Sequence, residues 1–505
     1  MGHIFEKSIN EIEKIRLTGV FDLKAADEEQ PKMEKSAERK RAGTFYTPPE
    51  FTFFITHNVV AKYINERFDE IAANKGIDRA QAEKSETPKT MIAYWRECFE
   101  ALKQIKVVDP ACGSGAFLIS AYEVFEDKYN YVIDNFINGN GGDSDGLIDK
   151  IPDFILHENL YGVDLSREAI EITQLALWLK SAREGKTLAD LSKNIVCGNS
   201  LVDDPEADPL ALKWQDKFPE VFDRKNPGFD CVIGNPPWER MKLQEREFFD
   251  TVSPEIAAAV NAATRRKLIA NLEKSNPELN ERYISAQDKA EKNLDYIRKS
   301  GRFPLNGKGD INTYAVFAEL AFNIVSPYGR VGILVPSGIA TDNTTKDFFS
   351  DLIDSKRLYG LYDFENKAAI FPDVHRSFKF SILLFSGLKR QSEIADFVFF
   401  AHDIEELKDK KRHIRLSRND FKLFNPNTKT CPIFRFPKDA ELTKAIYKRV
   451  PVLVDENRKE GGNPWGISFL RMFDQTNDAE LFHTAEQFKS QKFKLVGNRW
   501  IKGKK

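Results

Sequence analysis

Between Lys106 and Gly387 the chain alternates short apolar runs with amphipathic stretches, and this alternation limits the available folds more than any other feature. The apolar runs are Lys106–Asp109, Leu160–Asp164, Asn194–Cys197, Phe229–Ile233, Arg330–Val335, Leu358–Phe364 and Phe380–Phe385. Helical periodicity fills Ala116–Tyr129, Arg167–Arg183 and Asn312–Val325 between them. The pattern predicts an α/β fold, a doubly wound and mostly parallel sheet with helices on both faces. In such sheets ligands gather outside the carboxyl ends of the strands, so residues that directly follow the apolar runs are the candidates for chemistry.

Around this block, residues 1–100 read as a polar helical region, with a basic cluster at Lys35, Arg39, Lys40 and Arg41. Residues 101–390 form the expected catalytic domain, interrupted by a Gly/Asn/Asp-rich loop at Asn138–Asp145 and a charged helical insert at 239–300. Residues 391–505 turn basic and mixed and read as a linker leading into a further region. A length of 505 residues suits two or three such domains. The formal net charge of −2 gives no global positive field, so contact with a polyanion must come from local patches. Five widely spaced cysteines without a Cys-x-x-Cys pair argue for reduced thiols in a cytoplasmic protein, without a disulfide frame or a zinc site. The charged amino terminus has no apolar signal core, and no run reaches membrane-spanning length. His375 and His402 read as surface or loop residues, and no metal cluster is expected.

Gly234-Asn235-Pro236-Pro237-Trp238 follows the fourth run. Two prolines stiffen the backbone and bias the residue before each toward extended geometry. The Asn235 side-chain oxygen and the Pro236 carbonyl thereby become two fixed acceptors beside an aromatic face, an arrangement suited to a planar exocyclic NH₂ such as that of a nucleobase. Alone, the same peptide reads equally well as a rigid turn with Trp238 packed in the core.

Val107-Val108-Asp109-Pro110-Ala111-Cys112-Gly113-Ser114-Gly115-Ala116-Phe117 is a strand, a glycine turn and a helix start. Gly113 and Gly115 let the backbone approach a ligand closely. Leu118 stands where a dinucleotide loop needs its third glycine. The acid at the strand end suits a ligand bearing an ammonium group, such as the amino-acid end of S-adenosylmethionine. Asp164, followed by Leu165, can accept ribose hydroxyls or help cap the helix that begins near Arg167. Asn199 and Ser200 form a polar turn after the third run, at the same edge, able to meet an adenine ring.

Taken together, these strand-end features make the chain resemble the N6-adenine-specific DNA methyltransferases of restriction-modification systems, in particular type II and type IIG-like enzymes whose cofactor motifs precede an Asn-Pro-Pro-aromatic motif. The resemblance spans roughly Lys40 to Leu384. It includes Gly43-Thr44-Phe45-Tyr46-Thr47-Pro48, Asp310-Ile311-Asn312-Thr313-Tyr314 and Gly329 to Ser337. It implies the seven-stranded class I S-adenosylmethionine-dependent methyltransferase fold, with the seventh strand antiparallel at the sheet edge.

By the same resemblance the cofactor site comprises Phe45, Tyr46, Thr47, Asp109, Ala111, Gly113, Gly115, Phe117, Asp164, Leu165, Asn199, Ser200 and Asn235. The substrate is then double-stranded DNA with a flipped adenine, gripped by Asn235 and Pro236 in the loop with Pro237. The base stacks on Trp238, with Phe378 on its other face in preference to Phe380. Lys408, Lys410, Lys411, Arg412, Arg415 and Arg418, with Arg265 and Arg266, are the candidate phosphate contacts. Trp465 to Phe482 resembles the start of a recognition region that continues in large relatives, so a missing recognition domain or specificity partner, and weak methylation by these residues alone, are expected. The rival readings are an N4-cytosine DNA methyltransferase, a protein glutamine N-methyltransferase, a non-catalytic DNA-binding subunit with a vestigial cofactor site, and a combined methylase and nuclease.

Overall fold

A computed structural model describes residues 47–79, 89–138, 145–182, 189–372, 374–468, 470, 472–474 and 478–502. Phe45, Tyr46 and most of the loop expected at Asn138–Asp145 lie outside the described residues. The chain divides into two compact units, Met1–Pro451 and Val452–Lys505.

The first unit is built on nine strands: β1 (Val107–Asp109), β2 (Leu160–Asp164), β3 (Ile195–Cys197), β4 (Phe229–Gly234), β5 (Val325–Pro336), β6 (Leu358–Glu365), β7 (Lys379–Ser386), β8 (Ile394–Ala401) and β9 (Ile414–Ser417). Their order across the sheet is β3-β2-β1-β4-β5-β7-β6-β8-β9. Strands β1 to β5 run parallel to one another, and β6 and β8 pair in parallel. β7 is antiparallel to both β5 and β6, and β9 is antiparallel to β8.

All seven predicted runs are strands, and two expectations are corrected. The reversed seventh strand lies inside the sheet, between β5 and β6, and not at its edge. The sheet also has nine strands where seven were expected, so it continues past residue 390, through β8 and β9. The cause is visible in β7 itself: every residue from Phe380 to Ser386 is buried, which an edge strand with one ladder unpaired would not require.

Alternate strand residues feed two apolar layers, one on each face of the sheet. Val107, Cys231, Ile233, Ile382 and Leu384 join the layer formed with the helices Pro49–Thr56, Lys62–Asn74, Lys89–Gln104 and Ala116–Asn138. Val108, Val232, Leu383 and Phe385 join the opposite layer, with the helices Thr313–Ile324 and Lys346–Asp354. The period of two along a pleated strand sends consecutive residues to opposite faces. Burying each such Val, Leu or Phe side chain contributes about 1.5–3 kcal/mol.

Residues 245–299 carry four helices, Glu245–Val252, Pro254–Ala257, Ala262–Ser275 and Pro277–Lys299. They enclose a small apolar cluster of their own around Phe248, Phe249, Leu272 and Tyr283. In the second unit, Thr484 caps the helix Ala485–Ser490, and β10 (Phe493–Val496) pairs with β11 (Arg499–Lys502) as an antiparallel hairpin. Among the described residues no helix is long and apolar enough to cross a membrane.

Candidate active site

The parallel register of β1 with β4 (Val107 opposite Cys231, Val108 opposite Val232) brings the ends of these strands side by side. Gly234 closes the gap: a Cβ there would lie 2.6 Å from Asp109 Oδ1. Asn235, the next residue, therefore sits beside the glycine turn and the acid that precedes it.

The glycine turn is held from below. Asp109 Oδ1 accepts the Ala111 N–H at 3.0 Å, and Asp164 Oδ2 accepts the Gly113 N–H at 2.9 Å. Asp164 Oδ1 accepts the Ser166 N–H at 2.9 Å, while the Ser166 hydroxyl caps the following helix by accepting from the Ala169 N–H. Asp164 thus braces both the glycine loop and the turn that leads into the helix. Thr173 donates its hydroxyl to the Gly113 carbonyl at 2.7 Å, and a Cβ on Gly115 would collide with Thr173 at 2.8 Å. Gly115 also has φ +83°, so glycine is required there on two grounds. Gly113, at φ +52°, has open space where its Cβ would project. Nothing in the sequence marks Thr173, an isolated hydroxyl within a helix.

Asp109 is 1% exposed, and among the described residues no cationic side chain pairs with it. Burial pushes its carboxyl up to about 8; the Ala111 N–H opposes the shift and the nearby Asp164 adds to it. Asp164 is also raised, chiefly by burial.

Three residues expected at the cofactor turn their side chains toward protein. Asn199 is buried with both ends of its amide engaged: Oδ1 accepts the Leu201 N–H at 3.0 Å and Nδ2 donates to Asp208 at 3.0 Å. Ser200 is buried and donates to the Pro110 carbonyl at 2.6 Å, tying the third loop to the first. Phe117 turns inward and packs in an apolar layer. Leu165, by contrast, is exposed beside Asp164.

Asn235 donates from Nδ2 to Thr47 Oγ1 at 3.1 Å, which joins the amino-terminal segment to the Asn-Pro-Pro loop. Its Oδ1 is buried and has no hydrogen-bond partner among the described residues. Buried carbonyl oxygens are nearly always satisfied, so this one stands out as an unused acceptor held in a fixed orientation. Pro236 is buried and Pro237 half-buried.

Trp238 is half-buried and donates Nε1–H to the Leu334 carbonyl at 3.3 Å. Phe378 lies nearly parallel to it, 5.7 Å away and tilted by 12°, and Phe380 lies 5.8 Å away at 26°. Phe378 is 37% exposed whereas Phe380 is fully buried, so only Phe378 can swing aside for a ligand. The loop that carries Phe378 depends on Asn366, which sequence reasoning missed. Buried at the end of β6, Asn366 donates Nδ2 to the carbonyls of Phe371 and Val374, and it accepts the Phe371 N–H on Oδ1. Beyond Trp238 the chain pairs with the segment 310–313: Met241 N donates to Ile311 O, Thr313 N to Glu239 O, and Arg240 and Lys242 both pair with Asp310.

Several of the expected phosphate-binding cations are engaged elsewhere. Lys408 pairs with Glu405, Arg412 with Glu406, Arg418 with Asp354 and Arg265 with Glu245. Among the described residues no group of three or more His, Cys, Asp or Glu side chains could hold a metal ion.

The strand order through β6 and the reversed β7 define the class I methyltransferase architecture. Residues 158–267, which contain Asp164, Asn199 and the Asn-Pro-Pro-Trp loop, match the family described as Eco57I restriction-modification methylase. An Escherichia coli protein described as a type II restriction enzyme and methyltransferase is 25% identical over 408 residues, covering 76% of this chain and 33% of the relative. A Methanocaldococcus jannaschii protein described as a candidate enzyme of the same kind is 32% identical over 184 residues, covering 32% of this chain and 15% of the relative. The chain therefore spans a third or less of these curated relatives. Among solved structures, a type IIL restriction-modification enzyme, MmeI, in complex with DNA aligns at 13% identity and TM-score 0.41, over 73% of this chain and 40% of that one. The M protein of the type I restriction enzyme EcoKI aligns at 14% identity and TM-score 0.35, over 69% and 70%.

Proposed function

We propose that this carboxyl edge transfers a methyl group from S-adenosylmethionine to N6 of an adenine flipped out of duplex DNA, as the modification activity of a restriction-modification system. One observation carries the reading: the buried, unpartnered Oδ1 of Asn235, fixed by Thr47, lies beside the Asp109 glycine turn. The family match and the relatives' descriptions as methyltransferases support it.

The residues present fit the cofactor. Asp109, buried without a cation, would hold an ammonium group; Asp164 has lone pairs left for ribose hydroxyls; and the open space over Gly113 admits close approach. Exposed Leu165 offers an apolar surface to a flat ring. S-adenosylmethionine supplies a methyl group on a positively charged sulfur.

An adenine amino nitrogen is a poor nucleophile because its lone pair is delocalised into the ring. Asn235 Oδ1 and the Pro236 carbonyl accept its two hydrogens and draw the lone pair out of conjugation. As positive charge develops on nitrogen, these preorganised acceptors stabilise it without reorganising. Trp238 offers the base a stacking face once Phe378 moves aside, and holding the partners in line supplies much of the remaining acceleration.

Replacing Asn235 tests the assignment. Asn235→Ala should lower single-turnover methyl transfer by about 10²–10³-fold, the loss typical of one such polar contact. Binding of S-adenosylmethionine, followed by calorimetry, should stay within about twofold of wild type. Transfer at the wild-type rate would remove Asn235 from the chemistry.

A further inference from the structure

A second group of residues at the same edge has no part in methyl transfer. Opposite Asp363 of β6, β8 carries a bulge: Tyr362 pairs with Val398 but Phe364 with Ala401. Within the bulge Phe400 has φ +58°, a conformation that a bulky residue holds only when its surroundings force it. Asp363 provides the force. It is 3% exposed, and its Oδ2 accepts the Phe400 N–H at 3.2 Å while the Ser337 hydroxyl donates to Oδ1. A buried acid is thus committed to setting the backbone beneath one aromatic ring.

That ring gathers two cations. Lys379 Nζ lies 4.2 Å from its centroid and the Arg435 guanidinium carbon 5.0 Å. Lys379 directly follows Phe378, whose ring stacks on Trp238. Arg435 is exposed and pairs with no carboxylate among the described residues; its loop is tied to the turn after β5 by Cys431 N donating to Ala340 O at 2.8 Å. Glu365 lies 3.6 Å from Lys379, but it also serves Lys367 and His402. Two like charges on one ring repel each other, and an anion bound between them would relieve the repulsion.

We propose that Lys379, Phe400 and Arg435 form a phosphodiester-binding site for the nucleic-acid strand next to the flipped nucleotide; the proposal rests on the DNA-directed reading above. The probe is a fluorescently labelled DNA duplex, titrated with the full chain over a range of salt concentrations and read by anisotropy. Removing one cation that neutralises a phosphate should lower the log–log salt slope by about 0.9. Arg435→Gln, at an exposed position, should show this single decrement, and Lys379→Gln with Arg435→Gln about twice as much, with S-adenosylmethionine binding unchanged. Lys103→Gln, beyond the opposite end of β1, should leave the slope unaltered. A wild-type slope in Arg435→Gln and in the double variant, or no duplex binding by the wild-type chain at low salt, would overturn the proposal. A wild-type slope leaves the methyl-transfer reading standing, whereas absent duplex binding counts against both; Asn235→Ala tests methyl transfer on its own.

Discussion

Asp109 carries the clearest pH signature in the molecule. With its carboxyl raised to about 8 by burial, the group is mostly protonated at neutral pH until a cation pairs with it. An ammonium group needs the ionised form, so affinity for S-adenosylmethionine should rise by nearly tenfold per pH unit from about 6 towards about 8 and fall again above it, as the ligand's own α-ammonium loses its proton. Calorimetry across that range measures the slope, which Asp109→Asn should abolish. Stability runs the other way. A carboxyl whose folded value is raised from 3.8 to about 8 favours the fold below about 4, and this advantage is lost as pH climbs through 8. Asp109→Asn should therefore resist urea better than wild type at pH 8, by at most about 5 kcal/mol, with the difference vanishing near pH 4. Thr47 belongs at the same scale. Thr47→Val removes the acceptor that fixes the Asn235 amide and should lower kcat by about tenfold or more, the effect expected of a misplaced polar group, while Thr47→Ser retains activity. Equal rates in Val and Ser variants would show that the hydroxyl does not orient the amide.

Among the elements, the loop between β6 and β7 depends most on one side chain. Asn366→Ala leaves the Val374 carbonyl and the Phe371 N–H without partners and the Phe371 carbonyl with only the Val374 N–H, at a cost of about 1–3 kcal/mol. Thermal denaturation measures that loss. A 2-aminopurine placed at the target position reports whether Phe378 still seats a flipped base, and the expected effect falls mainly on KM for DNA. Such contacts are hard to read from sequence because Asn366 has no neighbour within the chain that marks it; its partners are backbone groups gathered by a turn. The strands behaved otherwise. Each of the seven apolar runs was long enough, and bounded sharply enough by turn residues, to be identified at once. β8 carries a comparable signal in Ile394-Ala395-Asp396-Phe397-Val398-Phe399-Phe400-Ala401, yet the basic composition around it obscured the run. At the site, Asp109 and Asp164 end strands, Gly113 and Gly115 lie in the turn after β1 and Asn235 directly follows β4, so their places at the carboxyl edge are legible. Asn199, Ser200 and Phe117 occupy equivalent positions, but their side chains turn toward protein, which position along a chain does not reveal.

At the scale of the whole molecule, every described residue assigned to the cofactor and to methyl transfer lies in the unit that ends at Pro451. A chain ending there should bind S-adenosylmethionine within about twofold of the full chain by calorimetry; lost binding would place part of the site in the second unit. The central claim is that Asn235 and Pro236 grip an adenine amine within reach of a methyl donor. Incubation of the full chain, in excess over mixed-sequence DNA, with isotope-labelled S-adenosylmethionine and subsequent nucleoside mass spectrometry addresses it without assuming a target sequence. The result expected is label in N6-methyladenine, present with wild type and lost with Asn235→Ala. Label in N4-methylcytosine, or N6-methyladenine formed equally by Asn235→Ala, would contradict it.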